Sequence, residues 1–388
     1  MNPRRQFLSA AVAGAATLAA APLLARTGHS MPSPAPGSVL PTRGTPRPGA
    51  ALATNPRTGV RYRPPTRLGL GGAPLGGSLA PTTEDAAQAT MAAAWAAGVR
   101  LFDTSPWYGL GLSERRMGHE LHRHPAQDYT ISSKVGRLLT GTAGPLQKTG
   151  WHDPAPFRYR YDYSAEGTRR SVEDSLNRLG VAQLDVVFIH DLSPENENDL
   201  GMPWEQRFDE ALRGAMPELT RMREEGLIKA WGFGVNRPQP ALRAVAEADP
   251  DIMLLACQYS LLDHEAALHE TFSKLAEKNV SVMVGSPLLA GYLTGRERYL
   301  YGSPIPEWAP AKRSKITAIC ERHGIDIRTA ALQFADAPEV VSCIVPGART
   351  PEQVRANVES MRIAVPAAFW AELKQEKLIA ADAPVPKA

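Results

Sequence analysis

Several classes of protein are excluded by what this sequence has little of. Only three cysteines occur in 388 residues, Cys257, Cys320 and Cys343. An odd number without close paired spacing supports neither a disulfide framework nor a zinc site, and their apolar or helix-like surroundings read as buried, inert thiols. An excess of one charge is missing too. With 43 basic against 40 acidic groups, a formal charge of +3, there is no basic footprint for nucleic acid. No run approaches the roughly 20 strongly apolar residues of a membrane span, because the longest candidate, residues 10–25, is mostly Ala and Gly. A dinucleotide-binding glycine turn is also lacking. Gly69, Gly71, Gly72, Gly76 and Gly77 cluster, but Pro74 and the Pro81-Thr82 break keep them from opening straight into a helix, and close backbone approach in a first strand explains them. His119, His122 and His124 follow an arginine-rich helix surface without a metal-site pattern, so no metal is expected.

What is present begins with a leader. Arg4-Arg5 precede Phe7-Leu8 and a small-residue apolar stretch ending at Leu23-Leu24-Ala25. This has the layout of a secretory signal, and the arginine pair resembles a twin-arginine signal. The expectation is export in the folded state through the twin-arginine machinery to the periplasm, over residues 1–25. Removing them takes away Arg4 and Arg5 and leaves 41 basic against 40 acidic groups. Residues 26–66, with Pro32, Pro34, Pro36, Pro41, Pro46 and Pro48, read as a flexible tether that cannot bury a core.

From Arg67 onward short apolar runs alternate with amphipathic stretches. Strands are expected at 68–72, 100–104, 129–134, 184–190, 229–234, 252–256, 280–286 and 342–346. Helices are expected at 82–97, opened by the Thr82-Thr83-Glu84-Asp85 cap and stopped by Gly98, and at 113–122, 166–179, 206–225, 238–247, 265–278, 311–323 and 351–361. Eight strands, each followed by a helix and none spaced as a hairpin, predict a single-domain α/β (β/α)₈ TIM barrel over residues 67–380, with a doubly wound sheet as the rival.

In such a barrel the carboxyl ends of the strands share one mouth. The second ends at Asp103, followed by Tyr108. The third ends at Lys134 and the fourth at His190. Hydride reaching a carbonyl carbon leaves negative charge on oxygen, which needs a proton donor. A phenol titrating near ~10 is a weak acid at neutral pH, so a neighbouring ammonium is expected to lower its pKa, with a carboxylate holding that ammonium and an imidazole orienting the carbonyl. Asp103, Tyr108, Lys134 and His190 supply those four groups.

The stretches Phe102-Asp103-Thr104-Ser105-Pro106-Trp107-Tyr108-Gly109, Ser133-Lys134-Val135-Gly136 and Phe188-Ile189-His190-Asp191 resemble the tetrad motifs of the aldo/keto reductase family, over about residues 65–375. Within it, Tyr108–Arg116 and Lys134–Leu139 resemble the branch of D-threo-aldose (L-fucose) 1-dehydrogenases and pyridoxal 4-dehydrogenases. The resemblance implies hydride transfer between a nicotinamide cofactor and an aldose or small aldehyde or alcohol. In it Tyr108 is the general acid–base, Lys134 and Asp103 its tuning pair, and His190 the carbonyl orienter. A non-catalytic nucleotide sensor on the same barrel, as in the family's potassium-channel β subunits, is the other reading.

For the cofactor, the resemblance implies Ser286, Leu288, Gly291 and Leu293 around the pyrophosphate. Gly347, Arg349, Gln353 and Asn357 belong to the phosphate and adenine end, where a helix opening near Pro351 offers free N–H groups. Gly347 and Gln353 stand where many NADP-preferring members carry Lys and Arg, which favours NAD or dual use over NADP alone. Near the nicotinamide, Gly285 replaces a common aromatic. Asn236 survives from a Ser-Asn pair, and Gln258 lies two residues past the usual glutamine position, now Ala256. Substrate selection falls to Trp107, Trp151 and Asp191, with the 136–165 loop contributing alternating Phe157, Tyr159, Tyr161 and Tyr163 as an extended or hairpin segment. An exported dehydrogenase finds no free nicotinamide pool, so a tightly retained cofactor is expected.

Overall fold

The computed structural model describes residues 39–47, 50–56 and 61–386. The leader at 1–25 and the first part of the tether lie outside them. Among the described residues no helix is long and apolar enough to cross a membrane.

Eight parallel strands form the barrel: β1 (Leu70–Gly71), β2 (Leu101–Asp103), β3 (Thr130–Val135), β4 (Leu184–His190), β5 (Ile228–Val235), β6 (Ile252–Ala256), β7 (Ser281–Gly285) and β8 (Val341–Val345), hydrogen-bonded in chain order. Parallel bridges Leu68↔Ile344 and Gly71↔Gly347 join the first strand to the last and close the ring. Alternate strand residues fill the interior, among them Leu101, Val186, Phe188, Ile252, Met283 and Cys343. The opposite faces pack beneath the helices, which is why the strands read as continuous apolar runs.

The barrel helices are α1 (Glu84–Ala96), α2 (Leu112–Leu121), α3 (Ala165–Leu179), α4 (Ala215–Glu224), α5 (Pro238–Glu247), α6 (Ser273–Glu277), α7 (Ile327–Asp336) and α8 (Pro351–Arg362). Thr83, Ser164, Asp326 and Thr350 cap α1, α3, α7 and α8 by accepting from backbone N–H groups. Two expectations are corrected. The helix expected at 206–225 breaks at Gly214 into Trp204–Arg213 and α4: the backbone leaves helical geometry there, the Ala215 N–H donates to the Tyr163 carbonyl at 2.9 Å, and a Cβ at 214 would lie 2.6 Å from that oxygen. The helix packed after β7 is α7, and the expected 311–323 helix, observed at Ala309–Arg322, is an insertion before it. In sequence α7 has helical apolar spacing at Ile327, Ala330, Ala331 and Phe334, and its polar residues Arg328, Thr329 and Gln333 are buried as well.

The described parts of the expected tether pack on the barrel. Thr45–Pro46 pairs antiparallel with Ile363–Ala364. The buried Asn55 amide donates to the carbonyls of Pro64 (2.6 Å) and Ser342 (2.7 Å). Tyr62 packs against the interior cluster, and its carbonyl accepts from Ser281 Oγ at the start of β7, closing the barrel floor. Proline content misled here: the segment needs few contacts of its own because the barrel supplies them.

Candidate active site

The mouth is built from strand ends. Asp103 closes β2, Lys134 is the penultimate residue of β3, and His190 closes β4. The Lys134 side chain is 1% exposed, and its Nζ donates to Asp103 Oδ1 and Oδ2 (2.9 Å each) and to the Thr104 carbonyl (2.7 Å). All three ammonium protons are thus placed, and Ser132 Oγ donates to Asp103 Oδ1 at 2.8 Å. Burial holds Lys134 below its usual range, while Asp103 opposes that.

Tyr108 reaches the same point from the loop after β2. Gly76 must be bare here, since a Cβ would lie 2.7 Å from the Tyr108 carbonyl oxygen. Lys134 Nζ lies 4.6 Å from the Tyr108 ring centroid, and the His190 ring is edge-on to it at 5.8 Å. Sequence reasoning predicts a lowered phenol, and the structure corrects this. Burial first, then the Asp103 carboxylate, push Tyr108 well above its ordinary value. The ammonium sits under the ring with its protons committed to Asp103 and Thr104, so it does not serve the phenol oxygen. Burial lowers His190 to about 3, making it a neutral imidazole at ordinary pH. Ser105 Oγ accepts from the Trp107 N–H (3.1 Å) and lies 3.2 Å from His190 Nδ1. On the other side of the ring His190 Nε2 lies 3.5 Å from the Asp191 carboxylate, an acceptor only, so we assign the proton to Nε2, with Ser105 Oγ donating to Nδ1.

Beside Tyr108 and His190 lies a cavity of about 350 Å³ lined by Trp107, Trp151, Asp191, Asn236, Asp199 and Tyr301 among others. The expected pocket residues Trp107, Trp151 and Asp191 therefore meet, and Asn236, expected at the cofactor, lines this cavity with them. The loop forms the expected extended pair, Arg137–Thr140 with Arg158–Tyr161, but only Arg137 of it lines the cavity; Phe157, Tyr159, Tyr161 and Tyr163 do not. Sequence reasoning gave Arg137 no role. It is buried and ion-paired to Asp191 (2.7 Å) and Asp199 (3.3 Å), with its guanidinium 4.3 Å from the Trp107 ring centroid. Burial works to raise Asp191, but His190, Arg137 and Lys134 bring its carboxyl below the usual range. Asp191 (φ 50°), Cys257 (φ 64°) and Ser286 (φ 54°) all take left-handed backbone at the mouth, strain that gathers at functional sites. Cys257, expected buried, is half-buried there, and burial pushes its thiol up to about 12, so it stays an unreactive thiol.

A groove runs outward from Asp103 and Tyr108, lined by Ser286, Leu288, Gly291, Gly347, Arg349, Gln353 and Asn357, seven of the ten expected cofactor residues. Leu293 does not join them. It is 1% exposed in the core, because the kinked segment Leu289–Thr294 turns that side chain inward. Gln258 lines neither space and donates to the Val235 carbonyl at 3.3 Å. A nicotinamide dinucleotide, with its anionic pyrophosphate, is the group this fold implies, and the groove fits one. Its walls are bare backbone at Gly71, where a Cβ would lie 2.7 Å from the Val345 carbonyl oxygen, and at Gly347, where one would lie 2.9 Å from Pro74. Arg298 and Arg349 line it without a carboxylate partner among the described residues, and burial together with neighbouring guanidiniums holds both below their ordinary range. Such a desolvated cationic cluster is complementary to phosphate.

Comparison with known proteins agrees with this geometry. Residues 67–377 match the model of the aldo/keto reductase family. The chain is 35% identical over 322 residues to a D-threo-aldose 1-dehydrogenase of a Pseudomonas species, covering 80% of this chain and 94% of that one. It is 37% identical over 340 residues to a pyridoxal 4-dehydrogenase of Microbacterium luteolum, covering 83% and 96%. An aldo-keto reductase from Bacillus halodurans in its holo form superposes with a TM-score of 0.61 at 24% identity, covering 83% and 94%, a likeness of fold. The chain belongs to the aldo/keto reductase family.

Proposed function

We propose that this protein is an NAD(P)-dependent oxidoreductase acting between a nicotinamide and an aldose or small aldehyde or alcohol, with Tyr108 as general acid–base. The observation that carries the proposal is the convergence of Tyr108, His190 and the Lys134–Asp103 pair where the cofactor groove meets the substrate cavity.

The bound dinucleotide supplies or accepts the hydride; the chain's own residues manage the proton and the fit. Tyr108 keeps its proton at ordinary pH and can pass it to the carbonyl oxygen as negative charge develops there. His190, neutral and protonated on Nε2, donates to the same oxygen and orients it. Lys134 neutralises Asp103 and places positive charge beneath the Tyr108 ring, so a transient phenolate is not left facing a lone carboxylate. In the cavity, the carboxylates of Asp191 and Asp199, the Asn236 amide and the Trp107 and Trp151 faces suit a polyhydroxylated or ring substrate. The similarity to an aldose dehydrogenase and a pyridoxal dehydrogenase supports this choice. We assign the cofactor as NAD or both forms. Gln353 Oε1 accepts from the Arg349 N–H at 2.9 Å, so it braces Arg349 instead of adding a cation for a 2′-phosphate.

The test gives the protein L-fucose, D-arabinose and pyridoxal, each with NAD and with NADP. Turnover of at least one pair is the expected result. No turnover together with tight dinucleotide binding would instead favour a nucleotide sensor.

A further inference from the structure

The outer end of the groove is not made by the barrel alone. Val39 and Leu40, which precede the first barrel strand by about thirty residues, line it together with Arg328, Arg349 and Asn357. Leu40 is among the few large apolar side chains left exposed, at 38%. The segment is pinned from several sides. Arg328, itself 3% exposed, donates to the Leu40 carbonyl (2.6 Å) and to Thr42 Oγ1 (3.4 Å). The Arg43 N–H donates to Asp326 Oδ2 at 3.0 Å, and Arg47 N–H donates to the Arg362 carbonyl at 2.8 Å after the short Thr45–Pro46 strand. A buried guanidinium with no carboxylate within ion-pair distance among the described residues is costly unless its donors are used. Arg328 spends two of them on this segment.

The groove also has a direction. Its inner end is Asp103 and Tyr108, where a reacting carbon must lie, so the nicotinamide occupies that end. The other half of an extended dinucleotide then reaches the outer end, where the lining is Arg349, Gln353, Asn357, Arg328 and Leu40. That is an apolar face amid cations and an amide, the surroundings a purine nucleoside phosphate requires.

We propose that residues 39–43 form part of the dinucleotide site, with Val39 and Leu40 as the wall against which the adenosine half packs and Arg328 as the clamp that holds them there. The proposal rests on the groove being a dinucleotide site. It gives the pre-barrel segment a binding role in place of that of a tether, and it makes cofactor retention depend on residues outside the eight βα units.

The test uses the full chain carrying Val39→Gly and Leu40→Gly together, surface changes that remove the wall and leave the pinning hydrogen bonds. Binding of NAD, NADP, AMP and nicotinamide mononucleotide is followed by the protein's tryptophan fluorescence, beside thermal unfolding. The expected result is a dissociation constant raised roughly five- to tenfold for the dinucleotides and AMP, the scale of losing part of a leucine's apolar contact, with the mononucleotide and the unfolding midpoint unchanged. Arg328→Gln should shift the same three ligands the same way. Unchanged dinucleotide and AMP affinity in the double-glycine chain overturns the proposal. Tighter binding overturns it as well, since the segment would then be an obstruction. If the unaltered chain binds no dinucleotide, the functional reading itself falls, an outcome distinct from either.

Discussion

Lys134 Nζ lies 2.9 Å from both carboxylate oxygens of Asp103 and 2.7 Å from the Thr104 carbonyl, with the two side chains 1% and 4% exposed. In this setting each charge is tolerable only because of the other. Breaking such a pair by removing one partner costs more than removing both, since it leaves a lone buried charge.

Lys134→Met should therefore destabilise the fold by about 3–5 kcal/mol. The double change Lys134→Met with Asp103→Asn should recover a substantial part of that loss while remaining inactive. Chemical denaturation of Lys134→Met, Asp103→Asn and the double variant measures this. Additive losses would show that the pair is not coupled as its geometry states.

Ser105→Ala removes the hydroxyl 3.2 Å from His190 Nδ1 and frees the imidazole to take the other tautomer. The expected outcome is a fall in kcat of about tenfold, the scale of one hydrogen bond at ~1.4 kcal/mol. Dinucleotide affinity should stay unchanged, and Ser105→Thr should rescue part of the rate. A change confined to thermal stability would reduce Ser105 to a packing role.

Acid should weaken the fold through two buried histidines. Burial lowers His190 to about 3 and His264 to about 4. Each stays neutral in the native state, whereas in the unfolded chain it takes up a proton below about 6.5. Over that interval the unfolded state binds more protons, so stability is complete above about 6.5 and is lost as pH falls toward 4 and then 3. Replacing His190 by Gln should flatten the stability–pH curve over this window without abolishing it, because His264 remains. An unchanged slope would mean that His190 is not desolvated as described.

We propose that residues 1–25 direct export of the folded protein and that it keeps its cofactor: protein isolated from periplasm without added nucleotide should then carry NAD or NADP detectable after acid release. Protein recovered free of dinucleotide would count against retention.

Much of this was legible in sequence because the chemistry sits at strand ends. The period and length of the apolar runs located all eight strands, and the strand ends then placed Asp103, Lys134 and His190 together. Tyr108 followed from the resemblance of the Phe102–Gly109 stretch to the family motif. Two features were not legible, and a third was legible but is overshadowed by the longer helix before it: α7 has helical apolar spacing at Ile327, Ala330, Ala331 and Phe334. Arg137 lies next to the Lys134 motif, but its role depends on cross-strand pairing with Tyr161 and on Asp191, 54 residues away. The pre-barrel segment looked like a tether because its partners, Arg328, Ile363 and Ser342, lie about 300 residues downstream. Even the direction of the Tyr108 shift needed coordinates, since it depends on how completely the phenol is buried and on the Asp103 carboxylate near it.

The role of Tyr108 as proton donor is tested most directly by Tyr108→Phe, which removes one oxygen and keeps the ring over Lys134 and beside His190 and Trp151. The measurement is single-turnover hydride transfer with a substrate the parent protein uses, alongside dinucleotide binding. The expected rate is lower by about 10²–10⁴, the contribution of a positioned proton donor, with dinucleotide affinity unchanged. A variant that transfers hydride as fast as the parent would show that Tyr108 is not the proton donor.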